Sequence, residues 1–97
     1  MELDKHITEV VFRIDDYSVF ALLPYEISSG YYVVTYQHNG QHSGADYKNC
    51  ILQSKPAVLE QYNNLFNEMT NLGYNLKVVT KQNYSKYLKS YYESKKQ

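Results

Sequence analysis

From Val58 to Leu72 the apolar residues Val58, Leu59, Tyr62, Leu65, Phe66, Met69 and Leu72 recur at three- and four-residue steps, and Gly73 follows. Such a stripe is the signature of one amphipathic helix, with Glu60, Asn63, Asn64 and Asn67 on its wet side. A glycine directly after the last periodic residue suits the left-handed position that ends a helix. The start is read at Ser54-Lys55-Pro56, a hydroxyl cap followed by a proline in the first turn, where its missing N–H costs nothing. A helix with one apolar face needs a second layer to bury it, so the rest of the chain must supply that layer.

The first third supplies it. Residues 8–14 are rich in β-branched and aromatic side chains, with Val10, Phe12 and Ile14 on one face, and read as a strand. Asp15-Asp16 makes a turn. Val19–Leu23 is apolar on both faces and reads as a central strand that Pro24 should end, because proline removes a ladder donor. Ser28-Ser29-Gly30 is read as a loop, and Tyr31–Tyr36 as the strongest strand of the chain. Beyond the helix, Tyr74–Thr80 alternates and reads as a fourth strand. Residues 48–53 fit equally a short helix capped by Asp46 or an irregular connector.

The tail, residues 83–97, sets Tyr84, Tyr87, Leu88, Tyr91 and Tyr92 at helical spacing. The fold class is therefore α+β: a small antiparallel sheet, a three-stranded meander plus a fourth strand, covered by one main amphipathic helix, with a C-terminal helix. Residues 1–82 form the domain, and helix 83–97 packs on it or on a partner subunit, which makes a homo-oligomer through that helix one expectation. The second sheet face is left to solvent, to the tail helix or to a dimer partner.

Ninety-seven residues make one domain. No apolar run is long enough to span a bilayer, so no membrane partner is expected. The polar N-terminus lacks a signal core and the lone Cys50 excludes an internal disulfide, which together point to the cytoplasm. Residues 1–50 carry seven acidic and three basic groups, and residues 51–97 three acidic and seven basic. The balance is zero, so general nucleic-acid affinity has no basis in overall charge.

The densest polar chemistry lies in Tyr36–Tyr47. Its candidate binding residues are Tyr36, His38, Gln41, His42, Asp46 and Tyr47, read as a polar loop that recognises a partner or small ligand; such side chains make adaptable contacts. His38, His42, Asp46 and Cys50 stand at four-residue steps and carry metal-ligand chemistry. A helix would align them, but Gly40 and Gly44 argue against a helix, and paired cysteines are lacking. No metal and no cofactor is therefore assigned, with His38, His42 and Asp46 the ligands if one bound. A small metal-dependent or His-based hydrolase would use these same three, with His42 as general base oriented by Asp46 and with Cys50 or a tyrosine hydroxyl nearby. No nucleophile elbow or phosphate-binding loop accompanies them, which weighs against an enzyme. In the plain structural alternative, Asp46 caps a helix or turn, the glycines take positive φ and the two tyrosines pack beside the core.

Several pieces together carry a resemblance: Val11-Phe12-Arg13, Ala21–Pro24 with Ile27, Gln41-His42 with Ala45-Asp46-Tyr47, Lys55-Pro56-Ala57 with Tyr62, and Leu72-Gly73-Tyr74 leading into Leu76–Val79. On these the chain resembles a family of short uncharacterised bacterial and phage proteins with a Gln-His-x-x-Ala-Asp-Tyr segment. The likeness implies a phage or mobile-element setting and transfers no role to any residue; the reading of the chain as a small binding or accessory protein rests on the polar segment. The tail lies outside it. There, residues 77–97 hold six lysines against one glutamate, interleaved with four tyrosines, and a nucleic-acid binder working through this tail is the third expectation. The single arginine, Arg13, tells against it.

Overall fold

The computed structural model describes residues 6–16, 18–37 and 42–96. The chain is a small α+β domain in which β1 (Thr8–Ile14), β2 (Val19–Ser29), β3 (Tyr32–Tyr36) and β4 (His42–Asp46) form an antiparallel meander. Then come α1 (Tyr47–Leu52), β5 (Lys55–Pro56), α2 (Leu59–Asn71), β6 (Leu76–Val78) and α3 (Tyr84–Ser94). The sheet order is β4-β3-β2-β1-β5, and β6 also pairs with β1. The fourth strand expected after the helix is there, but it runs parallel to β1, with Thr8 opposite Leu76 and Val10 opposite Val78.

Alternation along the strands feeds two cores. Val10, Phe12, Ala21, Leu23 and Tyr36 face α2, where they meet Leu65 and Met69. The ring of Phe12 stacks on that of Tyr62 at 4.3 Å and 3°. Val11, Phe20, Leu22 and Val33 face the other way and are covered by Tyr47 of α1 and Tyr87 of α3. This is why residues 19–23 are apolar on both sides. Two bonds hold α3 in place as well as its packing, and a third caps the helix itself. The Tyr87 hydroxyl donates to the Tyr31 carbonyl at 2.6 Å, Lys86 pairs with Glu9, and Asn83 caps the first turn by accepting from the Lys86 N–H at 3.0 Å.

Four local expectations are corrected. Pro24 does not end β2; the strand continues to Ser29, and the proline falls in the register break between the pairs Leu23↔Val34 and Ile27↔Val33, where its missing donor breaks no ladder bond. The turn to β3 shrinks to Gly30-Tyr31, with Gly30 at φ 58°. Ser54-Lys55-Pro56 does not open the helix. Lys55 and Pro56 pair with Ile14 and Arg13, and the Ala57 N–H donates to the Phe12 carbonyl at 3.0 Å, so pairing with β1 overrides the local start signal. The helix begins at Leu59, after the Gln61 side chain accepts from the Val58 N–H at 2.9 Å. It ends at Gly73, φ 113°, as the sequence expects. Finally, the described part of the polar segment is not a loop. His42–Asp46 is a strand, ordered by its ladder to β3 rather than by its own propensity.

Candidate functional site

Each side chain of the polar segment has a definite position. Tyr36 is fully buried and its hydroxyl donates to the Glu68 carboxylate on α2. The His42 ring stands edge-on to Tyr36 at 4.8 Å and 69°, and its Nε2 lies 2.8 Å from the Tyr74 hydroxyl. Asp46 caps α1, its Oδ1 accepting from the Asn49 N–H at 3.3 Å. Tyr47 is buried, donates to the Gln82 side-chain carbonyl, and is pushed by burial up to about 12. His38 and Gln41 lie outside the described residues. Tyr36 and Tyr47 are thus interior groups, and the accessible members among the described residues are His42 and Asp46. Gly44 does not take a positive φ. A Cβ there would lie 3.0 Å from the Ser28 Oγ, so a side chain at this position needs the serine to give way.

The four-residue spacing of His42, Asp46 and Cys50 does not make a metal centre. Four residues along a strand separate His42 from Asp46 by roughly 13 Å, and Cys50 follows on a helix. Among the described residues, no three His, Cys, Asp or Glu side chains are grouped to hold a metal ion. The nucleophile reading fares no better. Burial pushes the Cys50 thiol up, the Asp46 and Asp15 carboxylates push it further, and only Arg13 opposes them. Burial and Glu26 likewise raise the Tyr74 hydroxyl that His42 touches. Both shifts favour the protonated, unreactive form.

Sequence reasoning missed the work of Arg13. Buried on the same strand face as Val11, it donates from Nε to the Ser54 Oγ (2.9 Å) and from Nη2 to the carbonyls of Ser54 (2.7 Å) and Ile51 (2.9 Å). The guanidinium ties the end of α1 to β1, and burial lowers its pKa. The signal was a charged residue in the middle of an apolar strand.

It also missed a cleft. Where β4 hands over to α1, and α3 crosses beside them, a cleft of about 480 Å³ opens between Tyr31, Tyr84, Tyr87, Tyr91, Asp46 and Lys48. Leu52 and Leu88 add apolar wall, and Asn49 an amide. The rings of Tyr84 and Tyr87 are 5.3 Å apart, and those of Tyr87 and Tyr91 are 6.4 Å apart and nearly parallel, at 19°. Cations already sit on this row: Lys48 Nζ is 5.8 Å from the centre of the Tyr84 ring, and Lys95 Nζ 5.3 Å from that of Tyr91. Burial, with Tyr84 and Asp46 nearby, raises the Tyr87 hydroxyl, so at neutral pH it is a hydrogen-bonding phenol. No known family model, curated protein or solved structure matches the chain. The cleft offers flat apolar faces for stacking, with a carboxylate, an amide and an ammonium at fixed places on the wall. No helix among the described residues is long and apolar enough to cross a membrane.

Proposed function

We propose that this is a small binding protein, accessory rather than catalytic, which recognises a ligand or partner side chains in the tyrosine cleft beside β4. The observation that carries the reading is the convergence of four tyrosines on Asp46 and Lys48 in one cleft of about 480 Å³. That volume lies within the usual range for small-ligand sites. Tyrosine gives large contact area at low entropic cost, and a few polar groups on an apolar wall fix orientation. Of the polar segment first singled out, Asp46 belongs to this site directly. A cytoplasmic location, in a phage or mobile-element setting, is the part of the proposal that rests on the lone cysteine and on the family resemblance.

The test is a titration of isotopically labelled protein with a panel of nucleotides, sugars and short peptides, following amide shifts. Ligands should move the resonances of Tyr31, Lys48, Asn49, Tyr84 and Tyr91 together, and Tyr84→Ala should weaken binding at least tenfold while the fold persists. Tyr84 is half-exposed, so its loss leaves the core intact. Ligands that bind the Tyr84→Ala variant as well as the parent would sink the proposal.

A second reading has its own support. Lys48 and Lys95 set positive charge over the faces of Tyr84 and Tyr91, the pairing of stacking surface and cation that single-stranded nucleic acid uses. Binding of a labelled oligonucleotide should then fall steeply with salt. Affinity that ignores salt would dismiss this reading and leave the first untouched.

A further inference from the structure

Among the described residues, β4 is the outermost strand on its side of the sheet, and its own sequence carries little of what usually protects an edge. The strand His42-Ser43-Gly44-Ala45-Asp46 holds no lysine and no proline, and its ladder to β3 runs without a bulge from Tyr36↔His42 to Tyr32↔Asp46. His42, Ser43 and Gly44 are exposed. A regular edge of this kind presents a row of backbone donors and acceptors to any strand that fits. The opposite margin offers less, because β5 has two residues, β6 has three, and both lie along β1.

The residues of β4 select the strand that fits. In an antiparallel pair, outward-bonding residues meet outward-bonding residues. For two copies of the same strand, the paired residue numbers must therefore add to an even total. One such register pairs all five residues of β4: Gly44 faces Gly44, Ser43 faces Ala45, and His42 faces Asp46. Small side chains fill the middle, and an imidazole meets a carboxylate at each end. Within one chain these two groups are roughly 13 Å apart; across the pair their Cβ atoms would be about 5 Å apart. We propose that β4 pairs with the β4 of a second copy about a two-fold axis at Gly44, with His42 of each copy against Asp46 of the other.

The pairing reaches the cleft, since Asp46 lies on its wall. Each His42 stays on the α2 side of the sheet, beside its own Tyr36 and Tyr74, and meets the partner's Asp46 from there. On α3, Tyr87 is already buried against its own sheet, while Tyr84 and Tyr92 remain exposed. Five residue pairs form a small interface, below the size of a permanent dimer, so association should depend on concentration.

Sedimentation of the intact chain over a wide concentration range tests this. The mass should rise from one chain to two. His42→Asp sets carboxylate against carboxylate and should leave a monomer at every concentration, whereas His42→Asp combined with Asp46→His rebuilds the pair with its partners exchanged and should restore the dimer. A parent that stays monomeric at its solubility limit overturns the proposal. So does a His42→Asp variant that dimerises like the parent, or a folded double variant that does not dimerise. Since Asp46 also caps α1, hydrogen exchange of the unaltered chain gives a check free of mutation. Amides of residues 42–46 should exchange more slowly as concentration rises, with those of β5 and β6 unchanged; β4 amides indifferent to concentration would count decisively against the pairing.

Discussion

The Tyr87 hydroxyl donates to the Tyr31 carbonyl across 56 residues of sequence and joins the tail helix to the turn between β2 and β3. Around that bond, Tyr87, Leu88 and Tyr91 cover Val11, Phe20, Leu22 and Val33. The tail is therefore one wall of a core. A chain ending at residue 82 would expose that sheet face; each large apolar side chain returned to water costs about 1.5–3 kcal/mol, against a total stability of about 5–15 kcal/mol for a domain. The truncated chain should lose cooperative unfolding, or aggregate, in circular dichroism melts. Tyr87→Phe keeps the ring and should cost only about 1 kcal/mol. A truncated chain that melts like the parent would refute this assignment of the tail.

Arg13 carries the second prediction. Its guanidinium bonds one hydroxyl and two carbonyls at the end of α1. Lysine keeps the charge but cannot reproduce a planar fork that donates from two nitrogens. Arg13→Lys should lower stability by about 1–3 kcal/mol in urea unfolding, because partly buried carbonyls lose their charged donors. The loss should persist in high salt, since the interaction is geometric and partly buried rather than a surface charge effect.

What the sequence disclosed follows from how each element is held. α2, β1 and β3 were legible because their periodicity records which side is buried, and burial is what stabilises them. β4 was not, because His-Ser-Gly-Ala-Asp has little strand propensity and owes its order to Val33–Tyr36 beside it. Lys55-Pro56 misled in the same way: a local helix-start pattern was overruled by pairing with Arg13 and Ile14. At the site, Asp46 was visible as a helix cap and as a candidate ligand. Its meeting with Tyr31, Tyr84, Tyr87 and Tyr91 was not, since three elements distant in sequence create the cleft and no spacing encodes it.

The phenols make alkaline stability a third prediction. Tyr47 rises from the usual 10 to about 12 through burial, and burial also raises Tyr25, Tyr74 and Tyr87. The folded chain holds these protons more tightly than the unfolded one, so their stabilisation is complete below pH 10. It is lost as the pH climbs from 10 towards 12. The urea midpoint should be level through neutral pH and fall across that window, and phenolate absorbance should appear together with unfolding. Tyr47→Phe removes the largest of these groups and should flatten the fall. A parent whose midpoint holds through pH 12 would show that the phenols do not control it.

The thiol of Cys50 allows the finest test of the region around α1. Burial raises it first, then the negative charges of Asp46 and Asp15, while Arg13 pulls the other way. Only the thiolate is alkylated, so the folded chain should react with iodoacetamide more slowly than a free cysteine at neutral pH, and the rate should climb with pH. Asp46→Asn keeps a side-chain oxygen for the α1 cap, since asparagine serves that position as well as aspartate. It removes one negative charge, the thiol pKa should fall, and alkylation should accelerate by roughly two- to threefold. A decrease would mean that solvent access, rather than charge, governs the thiol. An acceleration with unchanged melting behaviour would set Asp46 electrostatically beside Cys50 as well as at the rim of the cleft, an anionic post shared by the helix cap and the proposed binding site.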